Sequence, residues 1–339
     1  MKNRNCIYVT LLLLIMSSFT IVAQSWHSDI LGDGYQMRYI NMPNDYSGKV
    51  RSTVIRKKSK CGDKRAILYV HGYNDYFFQE EMGDRFIDSC YNFYAIDLRK
   101  YGRSLMSGQR AFEVRDIAEY YADIDSALNI IVKDGNKSII LMGHSTGGLT
   151  LSSYMATQKG GKYPIKGLIL NSPFLDMNLG KFTENVLIPV VSWYSKISKG
   201  TNISQGDSNA YAQSLLKKYH GEWNYNVNWK KEISPDVTSG WIGAIHNAQK
   251  NIQKGSDIKV PILLMHSAKS VWSDSWSPEH NNGDVVLDVN DISKYGRKLG
   301  RNYHELNVHG GIHDLMLSRK PVREALYNSI FKWLRNNNN

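Results

Sequence analysis

Cysteine is scarce, with three residues in a chain of 339. Three thiols cannot build a disulfide scaffold, and a chain of this length buries a large core without one. Long hydrophobic runs are also missing. Beyond the first two dozen residues no stretch reaches the ~18 uninterrupted apolar residues of a membrane-spanning helix, so the mature chain is expected to be soluble. No internal repeat is found. Compositional bias is absent too: 42% hydrophobic and 22% charged is an ordinary globular make-up, which excludes wholesale disorder and collagen.

What is present in excess is positive charge, a formal +11. That invites a nucleic-acid reading, yet the lysines and arginines are spread along the chain. The one modest cluster is Arg56, Lys57, Lys58, Lys60, Lys64 and Arg65. A nucleic-acid binder shows a basic stripe on a recognisable module, and neither appears, so no nucleic-acid partner is expected. The balance reads instead as affinity for anionic surfaces, including peripheral contact with an anionic membrane.

Residues 1–23 read as a secretory signal. Lys2 and Arg4 give a positive start, Ile7 to Met16 is almost wholly apolar, and Ala23 offers a cleavage point before Gln24. Cys6 precedes the apolar run, so it is not a lipobox cysteine. The protein is therefore expected to be exported, periplasmic or secreted. Cys61 and Cys90 remain after cleavage, each just upstream of an apolar strand candidate. If those strands are parallel neighbours, both thiols lie at one sheet edge and a disulfide is geometrically reasonable. Two separate buried thiols are the alternative.

Five short apolar runs, Ala66–Val70, Phe93–Leu98, Ser138–Met142, Gly167–Leu170 and Pro261–Met265, lack the alternation of half-exposed strands. Such runs are expected in a parallel sheet covered on both faces. Tyr35–Ile40 and Val50–Arg56 look like a strand pair turning at Pro43-Asn44-Asp45, and Tyr303–Val308 is a further strand candidate. Helical spacing marks Val114 to Ile131, Leu149–Ala156, Ile292–Leu299 and Val322–Leu334, the last with Pro321 in its first turn. Alternating strands and helices mean an α/β fold. Between Pro173 and about Asp257 the strand rhythm stops. That stretch holds Trp193, Trp223, Trp229 and Trp241, with helical candidates at Thr183–Tyr194, Ala210–Tyr219 and Ile242–Lys254. The division expected is a core of 24–173 and 258–339 with a helical insertion at 174–257.

The sharpest chemical signal is Gly143-His144-Ser145-Thr146-Gly147, between the SIILM strand and a helix. A tight strand-to-helix turn there exposes the Ser145 hydroxyl at a helix N-terminus, and its flanking residues must be small. A serine nucleophile needs a base, and the base an orienting acid. His313, in Gly310-Gly311-Ile312-His313-Asp314 after the Tyr303–Val308 strand, is the candidate base. His309 would still be leaving that strand. The glycines between these two histidines, with no carboxylate motif, argue against a metal site. The acid should follow the PILLM strand, but no carboxylate stands within a few residues. Asp284 opens an acid, apolar segment, helix order displaced by an insertion at Trp272–Gly283. Asp288 and Asp274 are the alternatives, and Glu279 and Asp291 are also within reach. Oxyanion donors are expected from the backbone N–H groups of Thr146 and Tyr73.

These pieces resemble the α/β-hydrolases, and among them the lysophospholipase and monoacylglycerol-lipase-like group that includes serine aminopeptidases. The resemblance rests on His71-Gly72-Tyr73, Asp97-Leu98-Arg99-Lys100-Tyr101-Gly102-Arg103-Ser104, Gly143–Gly148 and Gly311-Ile312-His313-Asp314. Lys100 departs from the usual glycine, and the displaced acid departs as well. The resemblance implies a serine hydrolase working through an acyl-enzyme, without a cofactor, on a small-molecule or single-chain lipid ester such as a lysophospholipid or monoacylglycerol. It also implies that 174–257 is a helical cap shaping the acyl pocket. His144 is expected to pack below the turn. A serine aminopeptidase is the alternative, needing a carboxylate for the substrate amine, with Glu184, Asp207 and Glu222 as candidates. A catalytically inactive binding protein is the third reading.

Overall fold

A computed structural model describes residues 25–157, 161–177, 197–273 and 275–337. The proposed signal segment, Cys6, the Thr183–Tyr194 helix candidate, Glu184, Trp193 and Asp274 lie outside the described residues.

The strands in chain order are β1 His27–Ser28, β2 Gln36–Asp45, β3 Gly48–Lys57, β4 Arg65–Val70, β5 Asn92–Asp97, β6 Ser138–His144 and β7 Ile165–Asn171. There follow β8 Asn202–Ile203, β9 Val237–Thr238, β10 Ile262–Ser267 and β11 Tyr303–Val308. The helices are α1 Glu80–Asp88, α2 Glu119–Lys133, α3 Thr146–Thr157, α4 Ala210–Leu215, α5 Ser239–Gln253, α6 Val289–Gly296 and α7 Lys320–Asn337. Nine strands form one sheet in the order β1-β2-β3-β5-β4-β6-β7-β10-β11. From β5 through β11 every pairing is parallel, and β1, β2 and β3 add an antiparallel flank.

The apolar runs are explained by burial on both faces. Leu68, Leu141, Leu170 and Leu264 pack with Ile124 and Leu128 of α2 and Ile245 of α5 on one face. Their neighbours Ile67, Tyr69, Met142 and Met265 pack with Phe86 of α1 and Ile330 of α7 on the other. Adjacent residues serve opposite layers because the side-chain period of a strand is two. All parallel strands point their C-terminal ends to one edge, and that edge carries the candidate site.

Several expectations are corrected. The hairpin turns at Tyr46-Ser47, because Pro43 and Asn44 sit in an irregularity of the β2–β3 register and the strand resumes at Asp45. A proline without an N–H is tolerated at such a bulge. Val114 and Ile117 are buried, but α2 starts only at Glu119. The Ala210 helix stops at Leu215, where Leu216 turns extended to bridge Trp223. Among the described residues, the segment between β7 and β10 adds no strand to the main sheet. It does form a two-stranded ribbon from β8 and β9. Cys61 and Cys90 are joined by a disulfide, S–S 2.07 Å, beside the parallel strands β4 and β5.

Candidate functional site

Ser145 sits between the end of β6 and the start of α3 with φ +52°, in the left-handed region. That conformation costs a non-glycine residue roughly 1–2 kcal/mol, and three backbone hydrogen bonds hold it. The Ser145 N–H donates to Asn171 O at 3.0 Å, while Ser145 O accepts from Leu149 N at 3.1 Å and Phe174 N at 3.0 Å. The flanking glycines are required by contact. A Cβ on Gly143 would lie 2.7 Å from Gly147 O, and one on Gly147 would lie 2.3 Å from His71 O.

The route of Asp284 to the same edge explains its late position. After the 272–283 insertion the chain returns to β10, where Asp284 N donates to Lys269 O at 2.9 Å and Val271 N to Asp284 O at 2.7 Å. This parallel bridge prolongs β10 by another route. The buried carboxylate accepts from Val286 N and Leu287 N, both at 2.8 Å, through Oδ1. Its Oδ2 lies 2.9 Å from His313 Nδ1. An ionised carboxylate only accepts, so Nδ1 carries the proton, and in the neutral imidazole Nε2 keeps its lone pair. No residue among those described bonds to Nε2. Asp288 instead caps α6, accepting from Asn290 N at 2.9 Å. Asp291 pairs with Lys294, and Glu279 with Lys269. His309 is exposed past the end of β11.

Ser145, Thr146, Tyr73 and His313 line one cavity of about 580 Å³. Neither the Tyr73 nor the Thr146 backbone N–H has a hydrogen-bond partner among the described residues. The loop carrying Tyr73 is anchored by His71, whose Nε2 accepts from Leu98 N at 3.1 Å while Nδ1 donates to Gly72 O at 2.8 Å. Trp241 lines the cavity, 4.9 Å from the Tyr73 ring. Trp223 and Trp229 pack elsewhere, the former donating to Leu317 O at 2.8 Å and the latter against Tyr76.

His144 also reaches the cavity, its ring 4.8 Å from that of His313. Burial lowers its pKa below the ordinary value of 6.5, outweighing the upward pull of Asp314 and Asp75. Asp75, His144 and Asp314 bring ligand atoms within 4.8 Å of one another. Their chemistry does not fit a metal. The Lys230 ammonium sits on Asp75 Oδ1 at 3.1 Å. Asp314 is already taken by Asn171 Nδ2 at 2.8 Å and Gln79 Nε2 at 3.1 Å. His144 Nδ1 donates to Asn171 O at 3.1 Å.

Sequence reasoning missed Asn171, which ties the Ser145 turn to the His313 loop, and Gln79, which ties the 71–79 loop to Asp314. It also missed Tyr211, Tyr225 and Lys230 on the cavity wall. Burial first, with nearby carboxylates including Asp75, raises both tyrosine pKa values and keeps the hydroxyls protonated. The motif residue after His313, Asp314, was the one signal available for the Asn171 link.

Lys100 has φ +67°, which explains why glycine is usual there. Its buried ammonium lies 2.8 Å from Asp45, off the line of a hydrogen bond, and 4.0 Å from the Tyr46 ring centroid. Glu222 is engaged by Arg323 and by Arg319 at 3.6 Å, and Asp207 lines a separate groove. In the basic cluster, Arg56 and Lys58 pair with Asp134, Lys57 with Asp84 and Arg65 with Asp63.

A family model described as serine aminopeptidase, S33, matches residues 62–275. Among solved structures, a soluble variant of the Saccharomyces cerevisiae monoglyceride lipase in complex with a substrate analog is similar at 18% identity. It has TM-score 0.63, over 89% of this chain and 96% of that one. The Paleococcus ferrophilus monoacylglycerol lipase is similar at 18% identity and TM-score 0.57, over 88% and 98% of the two chains. A thermostable carboxyl esterase from Bacillus coagulans is similar at 14% identity and TM-score 0.61, over 89% and 98%. These likenesses establish the α/β-hydrolase fold.

Proposed function

Since the chain belongs to the serine aminopeptidase S33 family, we propose that it is a carboxylic ester hydrolase using Ser145, His313 and Asp284. The observation that carries the proposal is the opening of one apolar-walled cavity onto both a turn-held serine and a histidine bonded 2.9 Å to a buried carboxylate. In this reading His313 Nε2 takes the Ser145 proton as Oγ attacks the ester carbonyl. The Thr146 and Tyr73 N–H groups receive the oxyanion. Collapse expels the alcohol, protonated by His313, and leaves an acyl-serine. Water, deprotonated by His313, then releases the carboxylic acid and restores Ser145.

The substrate class is a small ester, a lysophospholipid or a monoacylglycerol. The names of the similar lipases and esterase support that class, as do the apolar walls formed by Phe174, Val237, Trp241 and Ile242. The segment 174–257 acts as a cap that excludes water above Ser145. Aminopeptidase activity, the second reading, is favoured by the family's description. It needs a free carboxylate in the cavity, and Glu232 on the wall is already held by Lys218 and by Tyr219 Oη at 2.9 Å. A fluorophosphonate probe should label Ser145 and not Ser145→Ala. A panel of p-nitrophenyl esters against aminoacyl anilides decides between the readings, and turnover of anilides alone would overturn the ester assignment.

We also place the protein outside the cytoplasm, periplasmic or secreted, a reading supported by the Cys61–Cys90 disulfide. Peripheral contact with anionic membranes is the remaining part of the proposal. Equal binding to neutral and anionic vesicles at low salt would overturn it.

A further inference from the structure

The cavity wall divides by chemistry. At one end Tyr73, Phe174 and Trp241 pack together, with ring centroids 4.9 Å apart for the tilted Tyr73–Trp241 pair and 6.5 Å for the stacked Phe174–Trp241 pair. At the other stand Lys230, Tyr211 and Tyr225. Lys230 is only 6% exposed. Its ammonium lies 5.7 Å from the Tyr211 ring centroid and 5.8 Å from that of Tyr225. Among the described residues it makes a single hydrogen bond, to Asp75 Oδ1 at 3.1 Å, and an ammonium has three donors. The hydroxyls of Tyr211 and Tyr225 are buried with no partner among the described residues.

Buried polar groups are normally satisfied, and three under-satisfied ones on one cavity wall call for a ligand that accepts hydrogen bonds. Lys230 brings one cation to the wall, ion-paired with Asp75. Lys231 adds a second cation, while the Glu232 carboxylate is held by Lys218 and Tyr219. We propose that Lys230, Tyr211 and Tyr225 form a subsite for an anionic oxygen group, a carboxylate or a phosphate, carried on the alcohol side of the ester. The side follows from Tyr211, whose ring stands 5.9 Å from that of His313. His313 protonates the departing alcohol in the mechanism above, so this inference rests on the ester-hydrolase reading. The aromatic end then receives the acyl chain.

The test compares octanoyl esters of glycerol, glycerol 3-phosphate and glyceric acid on the full mature chain. The wild type should favour one of the anionic esters over the glycerol ester by about tenfold or more in kcat/KM, the range of a charge-assisted hydrogen bond. Which anion wins tells phosphate from carboxylate. In Lys230→Met that ratio should collapse toward one, mostly through KM. Should Lys230→Met fail to fold because Asp75 loses its partner, Tyr225→Phe removes one oxygen and should still lower the ratio severalfold. Equal rates on all three esters overturn the subsite, as does a preference for glycerol or a preference unchanged in these variants. No hydrolysis of any ester, with no fluorophosphonate labelling, overturns the ester-hydrolase reading instead.

Discussion

Two buried ionic networks meet along the loop 71–79, and they are completed to different degrees. Behind the loop, Arg103 grips Asp29 with Nε at 2.6 Å and Nη2 at 2.8 Å, and its Nη1 donates to Asp97 and to Phe77 O, both at 2.9 Å. Asp97 also accepts from Phe77 N and Arg103 N, each at 2.9 Å. Every carboxylate oxygen there is bonded. In front of the loop, among the described residues, Lys230 has one acceptor, and Asp75 Oδ2 and two tyrosine hydroxyls have none. Both networks are almost wholly buried, so burial does not explain the contrast. The first fixes a loop. The second borders a cavity, where the missing partner can come from a substrate. The Asp284–His313 pair is intermediate, with its carboxylate saturated and its outer imidazole nitrogen open.

The largest expected effect tests that intermediate case. Asp284→Asn should lower kcat by about 10⁴, because the imidazole would lose its tautomer, whereas Asp288→Asn should change little. Steady-state kinetics on a p-nitrophenyl ester check both, and the reverse ranking would mean that a saturated carboxylate here is structural only. Arg103→Met comes next. It strands two buried carboxylates and should cost about 3–5 kcal/mol in urea unfolding, while the folded fraction keeps the wild-type ester preference. A shifted preference would erase the distinction between the two networks. Replacing both Cys61 and Cys90 by serine reopens a loop with a sequence separation of 29. That should cost about 2–4 kcal/mol, read as a lower Tm without loss of fluorophosphonate labelling. Tyr211→Phe should leave stability within about 1 kcal/mol, because its hydroxyl has no partner to lose among the described residues.

The difference between these networks also marks what the sequence made legible. Continuous apolar runs such as Ala66–Val70 announce a doubly covered parallel sheet, because residues that serve both layers cannot alternate. Gly143 and Gly147 announce the turn, because backbone atoms approach where a Cβ would stand. The Asp284 position followed from order along the chain, and the bridge to Lys269 and Val271 shows the physical basis of its displacement. The hairpin turn was misread because Pro43 marks a bulge as well as it marks a turn. Lys230, Tyr211 and Tyr225 carried no signal. Tyr211 lies in the Ala210 helix candidate, Tyr225 and Lys230 come from a stretch without strand or helix periodicity, and only tertiary packing brings the three to one wall.

The smallest predicted effect concerns His144, which touches the under-satisfied side. Its Nδ1–H is committed to Asn171 O, and Asp75 and Asp314 stand near its ring. Burial prevails over those carboxylates and lowers its pKa from 6.5. Folding therefore favours the neutral ring. The stability this contributes is complete above 6.5 and is lost as pH falls from there through the lowered value, since the unfolded chain binds the proton first. Urea midpoints measured from pH 7.5 down to 5 should decline, and His144→Asn should flatten that decline while lowering stability at neutral pH. A steeper decline in the variant would mean that Asp75 and Asp314 prevail over burial. His144 would then be held protonated, and the front network would be more nearly balanced than its hydrogen bonds indicate.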